Sequence, residues 1–85
     1  MTMFPLAEGD GVRLDQLRPG TTGIVRSVGG EVHIARRLME LGLVTGTVVE
    51  FVRRAPLGDP FEFIVRGTHL SIRRSEAEQV HVEPL

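Results

Sequence analysis

The apolar residues of this chain recur at two spacings, and each change of spacing marks the end of one element and the start of the next. Val12, Leu14 and Leu17 form a short ladder that stops at Arg18-Pro19-Gly20, where proline presets φ and glycine relieves the turn. Thr22 to Val28 is β-branched and aliphatic and ends at Gly29-Gly30, which predicts a strand although its alternation is imperfect. From Glu31 the spacing becomes helical. Ile34, Leu38 and Leu41 stand at i, i+4 and i+7 and draw one apolar stripe, while His33, Arg36, Arg37 and Glu40 fall on the opposite side. Gly42 stands where a left-handed C-terminal cap belongs, with Leu43 placed to fold back as its hydrophobic contact.

Alternation then returns. Thr47 to Arg54 carries Val49 and Phe51 in one phase and Val48 and Val52 in the other; Ala55 to Pro60 is a hairpin loop. Phe61, Phe63 and Val65 alternate with Glu62 and Arg66, Gly67 permits a tight reversal, and Leu70 and Ile72 alternate with His69, Ser71 and Arg73. Residues 75–78 predict one helical turn with Ser75 as its N-cap, and Val80 and Val82 alternate in a last strand. The pattern therefore predicts a mainly β domain over residues 12–83, preceded by a loose lead-in at 1–11. Five to six short strands with tight turns suit a closed or nearly closed barrel, which leaves few sticky edges. An SH3-like barrel fits best and an OB-type barrel second. The one amphipathic helix, at about 31–41, lies across a barrel mouth and buries Ile34, Leu38 and Leu41.

Composition narrows what such a barrel can do. Eighty-five residues, 41% of them hydrophobic, supply one modest core and little room for a deep walled pocket. There is no cysteine, hence no disulfide, thiol nucleophile or thiolate metal site. The net charge is −1, without the basic excess that phosphate backbones demand. The four aromatic residues are all Phe, and Phe61 and Phe63 are committed to a strand face. That speaks against base stacking and against an aromatic groove for proline-rich peptides. There is no lysine, no phosphate-cradling GxxxxGK[ST], no apolar run long enough to span a bilayer and no signal-peptide pattern at the start. A cytoplasmic protein without catalysis or cofactor is expected.

Several short motifs occur in a fixed order. They are Arg37-Leu38-Met39-Glu40-Leu41-Gly42-Leu43 followed by Gly46, then Pro56-Leu57-Gly58-Asp59-Pro60, then Gly67 with Leu70, then Glu76-Ala77 before Val80-His81-Val82. Leu14, Leu17, Gly20 and Gly23 complete the opening. In this order the chain resembles the FeoA family over about residues 12–83; Ser71-Ile72-Arg73 departs from the aliphatic pair more usual there. The resemblance implies an SH3-like accessory protein that acts on FeoB, a membrane ferrous iron transporter with a cytoplasmic GTPase domain. FeoA-like barrels also end some iron-dependent repressors. This chain leaves no room for their DNA-binding helices, so the stand-alone form is expected, and a nucleic-acid-binding or repressor-type barrel is the alternative.

The candidate partner-binding residues are side chains that the core does not claim. Met39 lies off the helix stripe beside Arg36 and near Leu43; it either packs on the barrel rim or forms an exposed apolar patch with Leu43, and methionine suits adaptable contacts. Arg53-Arg54 and Arg73-Arg74 are either scattered solvated charges or a patch for an acidic protein surface. Leu57-Gly58-Asp59-Pro60 reads as a plain turn or as a partner-contacting loop. Among the three histidines, His33 and His69 face outward, and His81 shares a strand face with Glu83. His33 and the His81–Glu83 pair are weak candidates for adventitious metal binding but do not supply the three or more converging ligands of an Fe(II) site, so no dedicated metal site is expected.

Overall fold

In the computed structural model, residues 11–85 are described, so the lead-in expected at 1–11 lies outside the described residues except for Gly11. The elements run β1 (Val12–Arg13), a 3-10 turn (Leu14–Gln16), β2 (Thr22–Val28), α1 (Val32–Glu40), β3 (Val48–Arg54), β4 (Phe61–Val65), β5 (Thr68–Ile72), α2 (Arg74–Ala77) and β6 (Val80–Pro84). All strands pair antiparallel in one sheet of order β1-β6-β2-β3-β4-β5. The last strand thus sits between the first two, while β1 and β5 remain edges. The barrel is nearly closed rather than closed.

Two bulges explain where simple alternation fails. The β2–β6 register shifts between Val25 and Ser27, so the inward phase set by Gly23 and Val25 is broken within one strand. The β3–β4 register shifts between Phe51 and Arg53. That places Arg54 opposite Phe61, with its guanidinium carbon 5.5 Å and 5.2 Å from the centroids of the Phe51 and Phe61 rings. A bulge adds one residue to one strand and re-aims the side chains beyond it. Gly23 lies where β2 passes close to β6: a Cβ there would stand 3.2 Å from the Glu83 carbonyl oxygen. Strand β4 turns into β5 through Arg66 and Gly67, both at positive φ, as a type I′ turn requires.

The core gathers Leu14, Leu17, Val25, Val49, Phe51, Phe61, Phe63, Val65, Ile72, Val80 and Val82 around the inner faces of the strands. Helix α1 adds Leu38 from inside and Ala35 one turn before it, with Ile34 half-buried. The expected stripe is corrected at its end. Leu41 is 38% exposed, whereas Leu43 is fully buried. The cause is the helix terminus. Leu43 N–H donates to the Leu38 carbonyl at 3.1 Å and Gly42 N–H to the Met39 carbonyl at 3.0 Å, with Gly42 at φ +108°. This Schellman turn reverses the chain so that Leu43, not Leu41, drops onto the core.

The second helix also starts differently from the expectation. Its N-cap is Arg73, and Ser75 lies inside the turn. Glu76 reaches back to accept from Arg73 N–H at 3.2 Å, and Asp59 from the distant hairpin loop accepts from Arg74 N–H at 2.9 Å. A carboxylate supplied across 15 residues replaces the local serine cap.

Candidate functional site

Helix α1 is held at both ends, which fixes the direction of its outer face. Glu31 caps the start by accepting from His33 N–H at 3.1 Å, and the Schellman turn closes the other end. With Ala35 and Leu38 turned inward, Val32, Arg36 and Met39 fall at i, i+4 and i+7 along one exposed flank. Val32 is 66% exposed and Met39 44%, so an unpaired guanidinium lies between two apolar side chains. Arg36 has no ion-pair partner among the described residues. On the other flank Arg37 is bound to Glu76, which ties α1 to α2.

Met39 and Arg36 therefore share a surface, but Leu43 does not join them. Its burial removes it from any contact surface. Val32 takes its place, a residue that sequence reasoning missed because it precedes the core stripe. The signal was present: Val32, Arg36 and Met39 have the same spacing as a buried stripe but are rotated away from it.

The two arginine pairs come to one end of the sheet. Arg54 lies opposite Phe61 and Phe61 opposite Ile72, so Arg73 and Arg74 follow just beyond that row at the same end. Within each pair one guanidinium meets a carboxylate. Arg53 meets Glu62 at 2.9 Å, and Arg74 meets Glu78 at 3.6 Å. The Glu62 hydrogen bond, then its charge, raises the Arg53 guanidinium pKa above its ordinary value. Arg54 and Arg73 have no carboxylate partner among the described residues.

The histidines do not converge. His33 and His69 are exposed on different elements, and His81 lines an open groove of about 740 Å³ with Arg13, Arg26 and Ser27. Glu83, the partner considered for His81, is held by Arg26 at 2.8 Å. Among the described residues no three His, Asp or Glu side chains gather as a metal site would need.

Known proteins share both the sequence and this geometry. The FeoA domain family matches residues 12–84. The chain belongs to the FeoA family. Its FeoA domain is 32% identical over 72 residues to a ferrous iron transport protein A/FeoB fusion protein of Porphyromonas gingivalis, covering 85% of this chain and 8% of that protein. The solution structure of the Chlorobium tepidum FeoA protein superposes with a TM-score of 0.81 at 44% identity, covering 87% of this chain and 70% of that one. Stenotrophomonas maltophilia FeoA in complex with zinc superposes with a TM-score of 0.73 at 39% identity, covering 82% and 87%. That protein is described as a prokaryotic SH3 domain protein, and the six antiparallel strands here have the same SH3-like arrangement. Ferrous iron transport is thus the family's field.

Proposed function

We propose that this FeoA-family protein is a non-catalytic accessory of ferrous iron uptake that binds the cytoplasmic GTPase region of FeoB through the Val32–Arg36–Met39 flank of α1. The observation that carries this reading is the Porphyromonas gingivalis relative, in which a FeoA domain and FeoB are one polypeptide. Joining two modules in one chain makes their meeting intramolecular, and a short flexible linker raises the effective concentration to the order of millimolar. The flank supports the choice of surface, since interfaces concentrate their energy in a few apolar and arginine anchors. In this reading the protein meets FeoB on the cytoplasmic side; among the described residues no helix is long and apolar enough to cross a membrane.

The test measures stability and affinity on the same variants. Met39→Asp leaves the melting temperature within about 2–4 °C, since a surface change costs within about 0.5 kcal/mol. It weakens binding to the purified FeoB cytoplasmic region about tenfold or more, because a carboxylate at a dry contact is left without a partner. Arg36→Glu slows association, and the loss shrinks as salt rises. Unchanged affinity in both variants would falsify the helix flank as the contact.

A further inference from the structure

The hairpin between β3 and β4 ends in a side chain that nothing in the fold uses. Leu57 is 96% exposed, more than any other large apolar residue among those described. A single exposed leucine is ordinary on a loose loop, but this loop is pinned. Gly58 N–H donates to the Ala55 carbonyl at 2.8 Å and Ala55 N–H to the Pro60 carbonyl at 2.9 Å. Asp59 fastens the loop to α2 through the Arg74 N–H, and Pro56 and Pro60 fix φ on either side of the tip. Leu57 is thus held out with the ordering entropy of its backbone already spent, the condition under which a docked side chain yields most affinity. Beside it lies a groove of about 380 Å³ lined by Asp59, Pro60, Ser71 and Arg73. Two guanidiniums at this end have no carboxylate partner among the described residues: Arg73, which lines that groove, and Arg54, which directly precedes the loop and lies over the Phe51 and Phe61 rings.

We infer that the 55–60 hairpin is a second docking point for a protein surface, in which Leu57 seats in an apolar pocket whose rim carries carboxylates that meet Arg54 and Arg73. The occupant is FeoB, so this inference rests on the proposed function and adds a contact to it. One leucine and two arginines suit a pocket better than a bilayer, which is gripped by a whole amphipathic face. The groove beside the tip offers a return site for a side chain of the partner. The two docking points are separate. Arg37 faces α2 and the hairpin side, and Met39 is two residues further, about 200° round the helix.

The experiment measures binding of the purified FeoB cytoplasmic region to the full chain and to Leu57→Asp, Arg73→Glu and Met39→Asp, with melting temperatures for each. Leu57→Asp should melt like the unmodified chain and bind about tenfold more weakly. Arg73→Glu should lower the association rate, most at low salt. Losses from Leu57→Asp and Met39→Asp should add as free energies, as for distant sites. If Leu57→Asp binds normally while Met39→Asp does not, the hairpin inference falls and the helix reading stands. The reverse result keeps the hairpin and removes the helix. No binding by the unmodified chain overturns both. The hairpin inference is also overturned if Leu57→Asp leaves FeoB binding intact but abolishes binding to phosphatidylserine vesicles or dissociates a dimer of this chain.

Discussion

Leu43 and Leu57 stand in nearly the same local setting and meet opposite fates. Each adjoins a glycine held at positive φ, Gly42 at +108° and Gly58 at +93°, and each lies at a reversal between regular elements. Leu43 is fully buried and Leu57 is 96% exposed. The difference is what lies beyond the turn. The Schellman turn after α1 aims its leucine at a core already walled by the inner strand residues, so the reversal closes the barrel mouth. The hairpin tip lies past the ends of β3 and β4, where Asp59 of the loop meets the start of α2. One turn is part of the packing; the other presents a side chain to solvent.

Substitutions can break this contrast, beginning with the strongest. Leu43→Ala should cost about 2–5 kcal/mol by opening a cavity in a close-packed interior, as Leu38→Ala should, a large share of a small domain's stability. Denaturant titration reads the loss as a lower midpoint at unchanged slope. A loss below about 1 kcal/mol would mean that the mouth collapses around the gap and that the Schellman leucine is replaceable. The glycines separate the two turns more finely. Both Gly42→Ala and Gly58→Ala carry the left-handed backbone penalty of about 1–2 kcal/mol. Gly42→Ala adds crowding, because its Cβ would meet Val65 Cγ1 at 3.3 Å, whereas nothing lies within 4 Å of Gly58. Gly42→Ala should therefore lower the melting temperature more than Gly58→Ala; equal losses would show that backbone strain alone governs both turns. The smallest effect belongs to Leu57→Ala, within about 0.5 kcal/mol by thermal melting. A larger loss would reveal that the tip packs in solution.

Much of this was legible in the sequence because it depends on local periodicity. Phe61, Phe63 and Val65 alternate cleanly and lie buried as expected, as do Val80 and Val82. The cap at Gly42 was readable too, since only certain residues tolerate its φ. What could not be read depends on contacts between distant residues. Leu41 and Leu43 are both apolar, and only the path of the chain after Gly42 decides which faces the core. Ser75 is a good local N-cap, but Asp59 and Glu76 engage the amides at the start of α2. Arg54 sits over two phenylalanine rings because a bulge shifts the strand phase, and no spacing rule announces a bulge. Among the candidate contacts, Met39 and Arg36 do share a surface. Val32 shares their helical spacing in the sequence, and Ala35 and Leu38, by fixing the inner side of the helix, place it on the same exposed flank.

The place of β6 between β1 and β2 bears on how the protein is made. Synthesis delivers residues 12–28 early and residues 80–84 late, yet the sheet joins these segments directly. A chain whose β6 has not yet docked can zip β2, β3, β4 and β5 together, but its β1 has no neighbour and its Val25 row lacks a second side. The ribosome must therefore release residue 84 from its tunnel before the domain can complete its sheet. Until then β2 offers a bare hydrogen-bonding edge to whatever is near, which makes the interval before β6 docks the period when this domain is most open to mispairing and to chaperones.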